Sequence, residues 1–170
     1  HMIEKPEIAK LFLKNDKFDT NIIVNIDGNS ILSYAILYDN IEIVDLVLKN
    51  HKTNINLRSY NGQTPLVLAT KKNYISIVDS ILNDERFDPE ESRLNFAFYI
   101  SKGEVMTHLA TSKYLDVNCG VTSYNSNKRY AHGINNNTNG MDILPDDFNT
   151  PLNHAINIGD LDMINIIINH

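Results

Sequence analysis

Apolar residues recur along the chain at helical spacing, in pairs of short segments separated by a polar break. The clearest pair has its break at Asn73. Before the break, Leu66 and Ala69 lie three residues apart. After the break, apolar residues follow at i, i+3, i+6 and i+7, namely Ile75, Val78, Ile81 and Leu82. Such spacing places side chains on one face of a helix, so the pattern predicts two short amphipathic helices joined by a tight turn.

The same pattern returns on both sides of this pair, which indicates a chain built from repeats. Gly28 and Leu32 precede Gly62 and Leu66 by 34 residues, and a third copy begins at Asn149. Two further apolar stripes follow polar breaks, the first at Ile41, Val44, Val47 and Leu48 and the second at Leu161, Ile164, Ile167 and Ile168. Self-similarity at a fixed period is the signature of a stacked repeat architecture.

Each repeat begins with residues that suit a turn followed by a helix. Asn61-Gly62 is a turn dipeptide, because glycine adopts positive φ without steric cost. Thr64 suits the N-cap of the helix, and Pro65 suits the first helical position, where its missing N–H is not needed. The first repeat has Ser30 in place of Thr64.

A second signal follows each outer helix, where a hydrophobic residue precedes an aspartate. It occurs at Phe18-Asp19, Phe87-Asp88 and Leu115-Asp116, with a weaker version at Thr53-Asn54. We interpret these dipeptides as points where the chain turns back toward the next repeat.

Together these residues resemble the ankyrin repeat. The resemblance rests on Thr64-Pro65-Leu66 with Ala69, on Ile77-Val78 with Leu82, and on Asp116-Val117-Asn118. Repeats of that family run to about 33 residues, with a β-turn and two antiparallel helices. The resemblance implies an all-α ankyrin-repeat solenoid with a long loop insertion before the last repeat. We expect a partial repeat at 3–23, full repeats at 24–56, 57–89, 90–118 and 148–170, and the insertion at 119–147.

Some parts of the chain depart from the family pattern. The repeat around Ala97 lacks both the glycine turn and Thr-Pro, so we expect its hairpin to be cut short. The chain starts in mid-repeat with an outer-helix pattern at Ile8 and Leu11, and isoleucines crowd its last helix. Terminal repeats normally carry polar outer faces. We therefore expect either a fragment of a longer protein, which we favour, or a stack that self-associates through its C-terminal helix.

Composition and charge narrow the class of partner. Hydrophobic residues make up 42% of the chain, enough to bury a core, while the net charge of −6 argues against general binding to nucleic acid. The longest apolar stretches are too short to insert into a membrane. Cys119 is the single cysteine, which excludes an internal disulfide and fits a reducing, intracellular and cytoplasmic location.

Catalysis finds little support in the sequence. His51, His108, His154 and His170 are scattered, without metal-ligand spacing. The only cluster that resembles a site lies in the insertion, at His132 with Asp142, Asp146 and Asp147, and solvated loop charges explain it. We predict no enzymatic activity, no metal and no cofactor. The insertion remains open to two interpretations, a surface elaboration or an arm that contacts a partner.

The resemblance implies a non-enzymatic module that binds a partner protein through its hairpin tips and the concave face of its inner helices. The candidate contact residues at these positions are Asp27, Asn29, Tyr38, Tyr60, Asn61, Gln63, Lys71, Lys72 and Tyr99. Tyrosine is common at binding hot spots because it combines apolar area with a hydrogen-bonding tip. One alternative is a regulatory or targeting fragment of a larger enzyme or channel. Another is an enzyme with its chemistry in the insertion.

Overall fold

The computed structural model describes residues 6–15, 17–118 and 150–170. Within these ranges it contains nine short helices and no β-sheet, so the predicted all-α fold is confirmed. The helices are α1 Pro6–Leu13, α2 Ile31–Leu37, α3 Ile41–Lys49, α4 Pro65–Lys71, α5 Ile75–Leu82, α6 Leu94–Ile100, α7 Gly103–Ala110, α8 Pro151–Ile158 and α9 Leu161–Ile168. The predicted insertion at 119–147 lies outside the described residues.

After α1, the helices form four consecutive pairs that stack into two layers. Helices α2, α4, α6 and α8 pack in turn to form the inner layer. In the outer layer, α1 packs on α3, and α5, α7 and α9 pack in turn. The core lies between the layers and contains the residues that the periodic pattern selects, among them Leu66, Ala69, Val78 and Ile81, all fully buried.

Local sequence determines where the inner helices begin. The hydroxyl oxygens of Ser30, Thr64 and Thr150 each accept a hydrogen bond from the backbone N–H three residues later, at 3.2–3.3 Å. These bonds satisfy an N–H that has no partner inside the helix. The predicted N-cap role of Thr64 is thereby confirmed. Helix α6 is the exception, since its N-cap residue Arg93 is left-handed and makes no side-chain capping bond.

The turns that follow the outer helices are built on short polar side chains. Asp19, Asn54, Asp88 and Asp116 each accept a hydrogen bond from the backbone N–H two residues later, at 2.8–3.0 Å. Such a side chain mimics a backbone turn. The turn predicted at these dipeptides is therefore present, including the weaker copy at Asn54.

The connection into α6 confirms the shortened hairpin predicted for the third repeat. In place of a hairpin, residues 88–93 form a helical turn in which the Leu94 N–H donates to the Pro89 carbonyl at 2.9 Å. The Asp88 carboxylate begins this turn by accepting from the N–H groups of Glu90 and Glu91.

In the last helix the predicted apolar stripe is partly wrong. Ile167 is buried as expected, but Leu161 and Ile168 are 73% and 65% exposed, and Met163 is buried instead. Helix α9 packs on α7 and α8, and no described helix follows it. The far side of α9 is therefore open, whereas the matching side of α5 is covered by α7.

Candidate functional site

Two hairpins precede α2 and α4 and project from the same end of the inner layer. In the first, the Val24 N–H donates to the Asn29 carbonyl, and in the second the Ser59 N–H donates to the Gln63 carbonyl, both at 2.9 Å. A further hydrogen bond of 2.9 Å joins the hairpins, from the Tyr60 N–H to the Asp27 carbonyl. The two predicted tips therefore form one connected surface.

The Tyr60 ring covers Gly28 of the neighbouring hairpin, and it is nevertheless 60% exposed. Gly28 has φ of +78°, and a Cβ added to it would lie 2.4 Å from the Tyr60 Cγ. Beside the tyrosine, Ile26 is 95% exposed and Asp27 is exposed. The connected hairpins thus present an apolar patch with a carboxylate at its edge.

The remaining hairpin candidates are placed less favourably. Asn29 is 4% exposed, and its N–H donates to the Asn25 side chain inside the hairpin. We therefore remove Asn29 from the candidate surface. Asn61 is exposed, but its side-chain oxygen accepts from the Ser59 hydroxyl at 2.5 Å and so holds its own turn. Gln63 is half-buried.

The aromatic candidates on the inner helices differ in what they contact. Tyr38 is 62% exposed, with its ring centroid 4.4 Å from that of Tyr34 in the same repeat. Tyr99 is half-buried because its ring lies 4.6 Å from the ring of His154 in α8. Tyr99 thus has a packing role between repeats and offers only one edge to a partner.

His154 lies between the third and fourth helix pairs. Besides Tyr99, its ring contacts Phe98 with a centroid distance of 6.0 Å. Burial lowers the pKa of His154, because the charged imidazolium would lose hydration in this aromatic contact. The neutral ring is therefore favoured, as expected for a packed histidine.

The two adjacent lysines have separate roles. The Lys72 ammonium donates to the Asp39 carboxylate at 2.9 Å, and the Tyr74 hydroxyl donates to the same oxygen at 2.5 Å. These two bonds, from Tyr74 first and Lys72 second, lower the pKa of Asp39, and the same carboxylate raises the pKa of Tyr74. We call this group of Asp39, Lys72 and Tyr74 the polar clamp.

Lys71 points to a different place, an open groove between the second and third helix pairs. Its lining includes Thr70, Lys71, Asn73, Tyr99, Ile100, Lys102 and Glu104. Two of the candidate residues, Lys71 and Tyr99, therefore meet at the groove, whereas the hairpin candidates form the surface around Tyr60.

Sequence reasoning missed the clamp and the groove, although one signal for them exists. Asp39 and Asn73 stand 34 residues apart, each just after an inner helix, and both have positive φ, at 60° and 58°. Aspartate and asparagine tolerate this conformation better than most residues. A comparison of equivalent turn positions between repeats would have marked them.

The described residues contain no group of three side chains suited to hold a metal ion. The closest arrangement is an ion pair between His108 and Asp79, whose Nδ1 and carboxylate oxygen lie 2.6 Å apart across α5 and α7. His132 and the insertion aspartates lie outside the part of the chain that the structure describes, as does Cys119. No described helix has both the length and the apolar character needed to cross a membrane.

A stack of paired helices with connected hairpins and exposed inner-helix ends defines a helical repeat solenoid. A family model for ankyrin repeats, in three copies, matches residues 2–92, more than half of the chain. The chain belongs to the ankyrin repeat family, whose members are general protein-interaction modules. The match ends at the turn where the hairpin of the third repeat is missing. No curated protein and no solved structure matches the chain.

Proposed function

We propose that this chain is a non-enzymatic recognition module that binds a partner protein through its hairpins and inner-helix ends. The observation that carries the proposal is the apolar patch at the hairpins. Ile26 and Tyr60 are 95% and 60% exposed, yet the backbone under them is held by the bond from Tyr60 to Asp27. An apolar patch on an ordered backbone can be buried by a partner at little cost in conformational entropy.

The contact surface that we propose contains Asp27, Tyr38, Tyr60, Asn61, Gln63, Lys71, Lys72 and Tyr99, with Ile26 added from the structure. Lys72 would contribute through the polar clamp, since its ammonium is already paired. An intracellular location and a role as the regulatory or targeting part of a larger enzyme or channel stay predictions, as does chemistry in the insertion.

The experiment compares two matched variants of the full chain in capture of partner proteins. Ile26→Asp adds a charge to the hairpin patch, and Ile41→Asp adds the same charge to an exposed isoleucine on the outer helix α3. A partner that binds the wild type and Ile41→Asp but not Ile26→Asp supports the proposal. A partner that binds all three equally, or only the wild type, contradicts our choice of surface.

Self-association through the last helix pair is a second proposal, favoured by a comparison of equivalent positions. Thr70 and Leu82 of the second pair are 5% and 8% exposed beneath the following pair. Their counterparts Ile156 and Ile168 are 53% and 65% exposed. A second copy of the chain that covered this face would bury both isoleucines, as the third pair buries the equivalent residues.

Sedimentation of the wild type at increasing concentration tests this second proposal. We expect concentration-dependent dimers that disappear in Leu161→Glu, which charges an open position 73% exposed. Ile26→Glu adds the same charge at the opposite surface and should leave the dimers intact. A wild type that remains monomeric, or equal loss in both variants, would overturn the idea.

A further inference from the structure

The polar clamp has a counterpart in the next interface, where its three residues are exchanged. Helices α6 and α7 each begin close to 28 residues after α4 and α5 when Ala97 is aligned with Ala69. In this alignment Asn73 replaces Asp39, Ile100 replaces Lys72 and Lys102 replaces Tyr74. The carboxylate that joins the first two pairs is therefore missing at the same place between the second and third pairs.

The exchange leaves a cation without a partner. Lys102 is exposed, and no hydrogen bond or ion pair to it occurs within the part of the chain that the structure describes. Lys72, its neighbour in the preceding interface, is satisfied by Asp39 at 2.9 Å. Two successive interfaces thus contain a similar lysine, and only one of them has its carboxylate.

The space between the second and third pairs is the open groove described above. Its apolar contribution comes from the half-buried Tyr99 and Ile100. Lys71 and Lys102 border it with two positive charges, against one carboxylate from Glu104. This local excess of positive charge stands out on a chain whose net charge is −6.

We propose that this groove binds an acidic side chain of the partner protein, with an adjacent apolar residue of the partner against Tyr99 and Ile100. The partner's carboxylate would take the place that Asp39 occupies in the preceding interface, close to Lys102 and to the amide of Asn73. The proposal rests on the proposed function and narrows it, because it names the chemistry of the segment that is recognised.

The probe is a capped tetrapeptide of alternating leucine and glutamate, titrated into the full chain and followed by backbone amide NMR. The control peptide has glutamine in place of glutamate. We expect saturable shifts at Asn73, Ile100 and Lys102 with the acidic peptide, and about threefold to fivefold weaker binding of the control, the range of an exposed ion pair.

Three variants make the test specific. Lys102→Glu should abolish the difference between the two peptides, while Lys49→Glu, with the same charge change at the exposed end of α3, should leave it unchanged. Asn73→Asp restores in the chain itself the carboxylate that the neighbouring interface has. Because this new carboxylate would pair with Lys102, it should weaken the acidic peptide without disturbing the spectrum elsewhere.

The outcomes separate this inference from the function on which it rests. Equal binding of both peptides, scattered shifts, or equal effects of Lys102→Glu and Lys49→Glu would overturn the groove proposal. A captured partner that is lost with Ile26→Asp but unaffected by Lys102→Glu would also overturn it and leave the recognition function standing. Absence of any partner sensitive to Ile26→Asp would count against the function itself.

Discussion

The interface between the first two complete helix pairs and the interface between the second and third are built on the same helices but closed in different ways. On the hairpin side, the first is closed by backbone pairing and by Tyr60 over Gly28. The second is closed by arginines. Arg58 donates to the carbonyls of Glu90 and Glu91, and Arg93 donates back to the Gly62 carbonyl, all at 2.8 Å.

The outer side shows the same exchange at one position. Arg86, in the first interface, donates to the carbonyls of Leu48 and Asn50 at 2.7 Å and of Thr53 at 3.1 Å. The equivalent position in the second interface is Tyr114, whose ring lies 5.1 Å from that of Phe87. The buried helix faces are alike in both interfaces. The difference teaches that residues between helices determine how each interface is closed, while the apolar stripes determine the stack.

The largest effect that would break this comparison is expected at the hairpin glycines. In Gly28→Ala the new Cβ would meet Tyr60 at 2.4 Å at its Cγ and 2.7 Å at its backbone N, at a φ of +78°. We expect a loss of about 3 kcal/mol of unfolding free energy, because left-handed strain and overpacking add. Urea unfolding followed by circular dichroism measures it.

Gly62→Ala is the matched control, because Gly62 has nearly the same φ, +76°, and its nearest neighbour would be the Arg93 guanidinium at 3.5 Å. Only the left-handed strain of about 1 kcal/mol remains there. Equal losses in the two variants would show that the Tyr60 contact does not distinguish the two hairpins.

A smaller effect is expected from Arg86→Met on the outer side. The substitution keeps an apolar stem but removes the donors to three carbonyls, and it leaves Asp84 without its partner. We expect a loss of about 2 kcal/mol, since hydrogen bonds from a charged donor are worth more than neutral ones. Tyr114→Met should cost about 1 kcal/mol, the value of an aromatic contact. A larger loss in Tyr114→Met would reverse our ranking of the two interfaces.

The sequence predicts the helices, the N-cap of Thr64 and the family, because these depend on residues close together in the chain. It does not predict that Lys72 is paired while Lys71 borders a groove. The two lysines are adjacent, and the difference comes from Asp39, 33 residues earlier. Asn29 could not be told from Asn61 for a similar reason, since only the folded hairpin shows which of the two is buried.

The smallest effect, and the sharpest test of the clamp, is expected from Asp39→Asn, which makes the first interface resemble the second. Asparagine keeps the left-handed turn, as Asn73 does, so the fold should be unchanged. The pKa of Tyr74, raised by the Asp39 carboxylate, should return toward its ordinary value of about 10. NMR titration of the Tyr74 ring measures this change, with Lys49→Gln as a variant that removes a charge elsewhere.

The pH dependence of stability follows from the directions of the two pKa shifts. The pKa of Asp39 is lowered in the folded chain, so its stabilisation is complete above about pH 4 and is lost as the pH falls through the folded value. The pKa of Tyr74 is raised, so its contribution is present below about pH 10 and is lost as the pH rises through the folded value. The small stability gap between the wild type and Asp39→Asn should therefore close at both extremes. A gap that persists in acid would mean that the turn geometry, and not the carboxylate, distinguishes the first interface from the second.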